Sequence, residues 1–259
     1  MPDHWQNFAS QWNRLGSPMR PCAEDVSNFQ TALGDTKDSC LLLGVTPEFA
    51  SITPRLTAID NSPDMVRALW PQEKRSVLGD WLDMPFEDAS FGNIIGDGCP
   101  VLLEFPQQQE RFFTEVARVL RPGGRLLLRA FVCAAQAESP EQVCHEARQG
   151  NIKGFHAFKW RLSMAIASQT HNYTFPVSNT LHTFDVQFPD RQQLAEITGW
   201  DMQDIATLDL YRDSIAHYSY PPLAQLRNIF PRELAEIGLM YGHYELAERC
   251  PLLVLERRA

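Results

Sequence analysis

Along the middle of the chain the apolar positions keep changing period. Short continuous apolar runs, which suit buried strands, alternate with stretches where apolar residues recur every three or four positions, as a half-buried helix requires. In order, "SCLLLGV" predicts a buried strand, "PEFAS" a short helix and "RLTAID" a strand ending in an acid. "PDMVRALW" then predicts a helix, "RSVLGD" and "FGNIIGDG" two strands, "QQQERFFTEVARVL" a helix and "GRLLLRAF" a strand. Upstream, Trp5, Phe8 and Trp12 stand at i, i+3 and i+7 of an amphipathic helix, "GSPMRP" breaks it, and "AEDVSNFQTAL" forms a second helix opening on acids. Downstream, residues 134–184 turn helical and irregular. "DRQQLAEITGW" then predicts a helix, "IATLDLYR" a strand, the stretch near 222–238 a helix, and "PLLVLERR" a final strand. Strands separated by helices imply right-handed crossovers, so the expected fold is α/β with a doubly wound, mostly parallel sheet. The expected division is an N-terminal helical segment over 1–36, a core over 37–133, a helical insertion over 134–184 and completion of the sheet over 185–259.

A chain of 259 residues with 44% hydrophobic content can bury one large α/β core and still carry a lid or cap. Its formal net charge of -9 argues against nucleic acid as a partner, because phosphate-backbone binding depends on clustered Lys and Arg. Six scattered cysteines without a C-x-x-C pair, and no signal peptide, read as free thiols in a reducing cytoplasm. No apolar run approaches the roughly 20 residues a bilayer span needs; even "LLLRAFVCAA" is interrupted by Arg129. A soluble, cytoplasmic protein without membrane contact is expected.

Ligands on such a sheet sit outside the carboxyl ends of the strands, beside the first one. Four stretches fall there. In "GVTPEF", only Gly44 stands where nucleotide-binding loops usually carry several glycines. Thr46 can cap a helix through its hydroxyl, Pro47 suits the first helical position, and Glu48 lies in the first turn. Glu48 also places negative charge where a dinucleotide's pyrophosphate would go, which disfavours nicotinamide or flavin dinucleotides but not a phosphate-free nucleoside. In "AIDNSPDMV", Asp60, followed by Asn61, ends the second strand at a spacing that suits acceptance from ribose hydroxyls. Alternatively Asp60 caps the next helix, although Ser62 can do that. In "VLGDWLDMPFEDASF", Asp80 can accept from an adenine amine, and Trp81 either borders the base or packs in the core. In "IIGDGCP", glycines flank Asp97, so it and Gly98 can approach a ligand ammonium, although an ordinary turn uses the same residues.

Together with "EVARVLRPGGRLLLR", these stretches resemble the class I S-adenosylmethionine-dependent methyltransferase family over about residues 38–132. The resemblance implies a Rossmann-like, seven-stranded sheet with an N-terminal helical lid and a helical cap. It implies S-adenosylmethionine as cofactor, with Asp60 on the ribose, Asp80 on the adenine amine, Trp81 beside the base, and Asp97 and Gly98 near the methionine moiety and substrate. Gly44, Thr46 and Asn61 complete the implied cofactor contacts. The chain departs from the pattern in its first motif, where Leu42 replaces the acid and only Gly44 of three glycines remains.

Methyl transfer from an activated sulfonium needs alignment and exclusion of water, with a base only if the acceptor arrives protonated. Candidate acceptor chemistry lies in the lid and cap. Trp5, Trp12 and Arg20 are lid candidates, with Arg20 placed to meet a carboxylate of cofactor or substrate; the same tryptophans also read as the buried stripe of a docking helix. In "GFHAFKWRLSMAIAS", Phe155, Phe158 and Leu162 share one face while His156 and Trp160 lie on an adjoining one. His156 is a candidate general base or a satisfied structural residue. Tyr173, Tyr211, Arg212, Tyr218 and Tyr220 could wall a pocket, with Tyr211 a second catalytic candidate and Tyr211 and Arg212 ending a predicted strand. No metal site is expected, because the seven histidines show no ligand spacing.

The expected function is methyl transfer to a small-molecule acceptor. One alternative keeps the cofactor but attacks the methionine arm, by aminocarboxypropyl transfer or cyclisation releasing methylthioadenosine. Others are a non-catalytic nucleoside-binding protein and, disfavoured by Glu48, a nicotinamide-dependent oxidoreductase.

Overall fold

The computed structural model describes residues 4–258, with side chains from residue 8 onward. Helices α1 (His4–Gln11) and α2 (Ala23–Leu33) precede strand β1 (Cys40–Leu43). Strand β2 (Leu56–Asp60), helix α3 (Pro63–Leu69), strands β3 (Arg75–Leu78) and β4 (Phe91–Asp97), helix α4 (Gln107–Val119) and strand β5 (Leu120–Arg129) follow. β1 pairs in parallel with β2 on one side and β4 on the other. With neighbours on both edges and packing on both faces, it is a continuous apolar run, buried at every position.

A helical layer comes next: α5 (Pro140–Arg148), α6 (Phe155–Ser168), strand β6 (Thr174–Pro176), α7 (Ser178–Gln187), α8 (Arg191–Thr198) and α9 (Met202–Ala206). Strand β7 (His217–Ser219) pairs with β6 in a separate two-stranded sheet. Helix α10 (Leu223–Asn228) leads to strands β8 (Leu234–Met240) and β9 (Leu252–Arg257). The main sheet has seven strands in the order β3-β2-β1-β4-β5-β9-β8, with β9 antiparallel to both neighbours. It is the doubly wound, Rossmann-like arrangement expected, with β9 the one strand that runs against the other six.

The seventh strand is not the predicted one. "IATLDLYR" forms the end of α9 and a 3-10 turn over Thr207–Tyr211. Its buried apolar residues Ile205, Leu208 and Tyr211 recur every third position, the 3-10 period, so the stretch turns one apolar face inward instead of alternating. β8 takes the edge instead, inside the stretch expected to be helical. Pro231 follows the short α10, and the chain then extends along β9. The helical layer, expected to stop at 184, therefore runs on through α8, α9 and the 3-10 turn.

α6 is the hub of that layer. Twelve of its residues are buried, including His156, Lys159 and Trp160, so it has no polar stripe. Phe8 of α1 and Leu15 after it pack into the same cluster, which ties the N-terminal segment to the cap as much as to the sheet. Among the described residues, no helix is long and apolar enough to cross a membrane.

Candidate active site

A cleft with about 930 Å³ between its walls, part of it open to solvent, lies at the carboxyl ends of β1, β2 and β4. Its floor begins at Gly44, whose φ of 94° is left-handed and whose N–H donates to Ile59 O at 2.8 Å. A side chain there would point between Trp81 and Asp60, with Trp81 Cζ2 3.8 Å and Asp60 Oδ2 4.0 Å from its Cβ. Trp81 is held by its indole N–H, which donates to Ile59 O at 3.1 Å.

Asp60 ends β2 at this floor and is 9% exposed. Its Oδ1 accepts from Ser62 N at 2.8 Å, and burial pushes its carboxyl up to about 6. Ser62 is the residue that caps α3, accepting from Met65 N at 3.3 Å. Asp60 and Asn61 both border the cleft. A desolvated carboxylate of this kind is stabilised by a ligand that brings donors, as a ribose diol does.

The loop after β1 meets the lid. Thr46 borders the cleft but makes no capping bond through its hydroxyl, contrary to expectation. Glu48 is engaged by the lid: Oε1 accepts from Trp12 Nε1 at 3.2 Å and from Arg20 Nε. Arg20 therefore meets a carboxylate of this chain, not one of cofactor or substrate, and it is not part of the cleft wall. Trp12 is part of it, and with Phe8, Leu15 and Met19 forms the roof. The side chain of Trp5 lies outside the described residues.

On the far wall, Asp97 ends β4 and faces Arg129, its partner at the end of β5. Arg129 grips Asp97 with two nitrogens, Nη2 at 3.0 Å from Oδ2 and Nε on Oδ1. Its Nη1 donates to Asp25 Oδ2 at 2.8 Å and to the Tyr244 hydroxyl at 3.1 Å, while Tyr244 donates to Asp25 Oδ1 at 2.8 Å. All three charged side chains are at most 4% exposed. Burial raises the Asp97 carboxyl, against the pull of Arg129. Asp97 was expected to be open to a ligand ammonium; a resident guanidinium already occupies it. Next to it, Gly98 has φ 68°, and a Cβ there would fall 2.3 Å from Phe131 Cε2, so glycine is what admits Phe131 to the wall.

Residues 41–128, from β1 to β5, match the methyltransferase domain family. That segment of the chain is similar to methyltransferase domains, in line with the resemblance carried by its sequence motifs. No curated protein matches the sequence. Solved structures share the fold at low identity. A protein from Rhodobacter sphaeroides described as a Zn-dependent alcohol dehydrogenase superposes with TM-score 0.65 at 11% identity, covering 99% of this chain and 98% of that one. A chain of the Haloferax volcanii complex between the Trm112 methyltransferase activator and a methyltransferase gives 0.52 at 12%, covering 98% and 94%. An S-adenosylmethionine-dependent methyltransferase of Thermotoga maritima gives 0.51 at 11%, covering 99% and 98%. Among the described residues, no group of three or more His, Cys, Asp or Glu is placed to hold a metal ion.

Several other candidates lie away from the cleft. Asp80 is exposed, with Oδ1 accepting from Leu82 N at 2.9 Å, and does not border it. His156 is turned toward the lid, its Nε2 2.8 Å from Arg14 O, and burial with the nearby Lys159 pushes it down to about 4. It is a neutral packing residue behind the roof. Tyr211 is fully buried beside Phe8 and Tyr218, Tyr173 packs on Phe105, and Arg212 is exposed and bound to Asp209. The 3-10 turn that replaced the predicted strand is what carries Tyr211 inward and Arg212 outward. The wall contains Phe131, Leu15 and Met19, which sequence reading missed, Trp160, which it had placed beside His156 on a face of the cap helix without a role, and Tyr218, which it had only as part of an aromatic collection. Arg129 was noted only as a break in an apolar run; a charge at the end of a continuous buried strand was the signal that it needed a partner.

Proposed function

We propose that this methyltransferase acts on a small-molecule acceptor held under α1, and that it works by alignment and exclusion of water, not by a resident general base. The observation that carries the proposal is the composition of the cleft wall. Asp60, Trp81 and Gly44 form the floor at one end, an apolar lid covers the other, and among the described residues no Lys, Arg or His borders it. The residues suit S-adenosylmethionine. Asp60 is a desolvated acceptor for the ribose, Gly44 leaves the floor clear, and no phosphate has to be accommodated beside Glu48. Around the far end, Asp25, Glu48 and Asp97 face Arg20 and Arg129, three carboxylates against two guanidiniums, an imbalance that suits a cationic ligand.

The bound cofactor supplies an activated methyl group. Asp60 and Trp81 would hold the adenosine, Gly98 and Phe131 would border the remainder of the cofactor, and Phe8, Trp12, Leu15 and Met19 would keep water out. A partly enclosed cleft roofed by a short helix suits a small acceptor better than a macromolecule. Incubation with S-adenosylmethionine carrying a labelled methyl group and an extract of the host tests this. Label is expected in the small-molecule fraction; label confined to protein or nucleic acid would contradict it.

A further inference from the structure

Resting on the reading above, we infer that the acceptor is a flat, uncharged nitrogen heteroaromatic of the pyridine or quinoline kind, methylated on a ring nitrogen that carries a lone pair and no hydrogen. Three observations lead there.

The first is shape. One end of the cleft is lined by rings from three elements: Phe131 after β5, Trp160 of α6 and Tyr218 of β7. Trp160 meets Phe131 at 5.4 Å between centroids and 80°, and Tyr218 at 5.9 Å and 81°, so the rings fix one another edge to face. Trp160 offers ring carbon only, because its indole nitrogen is buried in the wall. Flat apolar walls of this kind favour a flat ligand.

The second is the want of a proton acceptor. Among the described residues no Lys, Arg or His borders the cleft. Asp97 holds both its oxygens against Arg129, and Asp60, assigned above to the ribose, sits on the floor with Oδ1 accepting from Ser62 N. Burial pushes the Cys99 thiol and the Tyr218 hydroxyl up, so both stay protonated near neutral pH. A hydroxyl, thiol or ammonium acceptor would have to lose a proton that no wall residue takes. A pyridine-like nitrogen is unprotonated at neutral pH and has none to lose. Its lone pair forms the new N–C bond while the C–S bond breaks and that electron pair stays on sulfur. The positive charge passes from sulfur to nitrogen, and no proton is released.

The third is charge. The Arg129 guanidinium lies 5.0 Å from the Phe131 centroid, which sets the ion cluster beside these rings. There Asp25, Glu48 and Asp97 outnumber Arg20 and Arg129. With no cation on the wall, an anionic acceptor would be desolvated without a counter-charge. Its methylation would also erase the positive charge that this excess stabilises. A neutral acceptor without hydrogen keeps that charge in the cleft throughout, where ring faces and carboxylates favour the methylated cation.

Calorimetric titration of the full chain carrying S-adenosylhomocysteine, with N-methylisoquinolinium, naphthalene and 2-naphthoate, tests the inference without turnover. The fixed cation is expected to bind at least about tenfold tighter than 2-naphthoate. Glu48→Gln keeps an acceptor for Trp12 and removes one charge; it should weaken the cation at least about threefold and change naphthalene by less than about twofold. Equal or tighter binding of 2-naphthoate, or equal losses for cation and naphthalene in the variant, would overturn the inference. Turnover supplies a second readout. With methyl-labelled S-adenosylmethionine and a host extract, label is expected in an aromatic product that a cation exchanger retains in acid and in strong alkali alike, and that has gained a methyl group without losing hydrogen. A labelled ether, ester, N–H amine or ring-free cation would overturn the inference and leave methyl transfer standing. Methylthioadenosine in place of S-adenosylhomocysteine would overturn the methyltransferase reading itself.

Discussion

Trp12 in the lid donates its indole N–H to Oε1 of Glu48 at 3.2 Å, joining the roof of the cleft to the loop after β1. Arg20 binds the same oxygen, so one carboxylate ties two points of the lid to the sheet. Glu48→Ala removes both ties and leaves Arg20, 29% exposed, without its partner. Hydrogen bonds to charged groups contribute about 1.5–3 kcal/mol each. The variant is expected to bind S-adenosylhomocysteine at least about tenfold more weakly and to exchange the amides of residues 4–20 faster. Unchanged affinity and exchange would mean that the lid is held by packing alone.

Arg129 neutralises Asp97 and Asp25 where none of the three has appreciable solvent. Arg129→Met leaves two buried carboxylates uncompensated, and a loss of about 3–5 kcal/mol is expected in urea unfolding. Adding Asp97→Asn and Asp25→Asn should recover a large part of that loss, since the cost lies in the stranded charges. A single variant as stable as the wild type would show that the ion cluster carries no such role.

The Asp60 carboxyl is raised to about 6 by burial. Its folded value lies above the unfolded one, so between about 4 and 6 the folded chain binds the extra proton and stability falls as pH rises. Ribose hydroxyls favour the ionised form, so S-adenosylhomocysteine affinity is expected to climb as pH rises through about 6 and then level off. Asp60→Asn should flatten that profile. A wild-type profile already flat from pH 5 to 8 would detach Asp60 from the ligand.

Lys159 is fully buried behind the lid, with Nζ 3.0 Å from Thr207 Oγ1 and the rings of Phe8, Phe155 and Tyr211 around it. Burial lowers its amine to about 7, against the opposing pull of Asp204; His156, on the same helix, is itself held neutral. Between about 7 and 10.5 the unfolded chain binds a proton that the folded chain does not, so stability should rise with pH across that window. Lys159→Met should remove the rise and be the more stable protein at pH 7, by about 1–4 kcal/mol. Equal pH profiles for the two proteins would contradict this.

The parallel half of the fold was legible because each of its strands is either a continuous apolar run or ends in a recognisable turn, as "LTAID" does before the Ser62 cap. Asp60, Trp81 and Gly98 reached the cleft for the same reason: strand ends fix where residues go. The cap was less legible. α6 is buried on every side, so periodicity could not say which of His156, Lys159 and Trp160 faces a ligand, and only the packed structure turns Trp160 to the cleft and His156 to Arg14. The ion cluster depends on Asp25 and Arg129, which are separated by 104 residues and which no local pattern connects. The edge strand Leu234–Met240 carries Ile237 and Leu239 exposed, which blurs the alternation that marks a half-buried strand.

The most direct test of methyl transfer is mass spectrometry of the adenosine product formed from S-adenosylmethionine in the presence of a metabolite extract of the host. The structure predicts S-adenosylhomocysteine, formed only when the extract is present. Methylthioadenosine above a control without enzyme would contradict methyl transfer and place the reaction on the methionine arm.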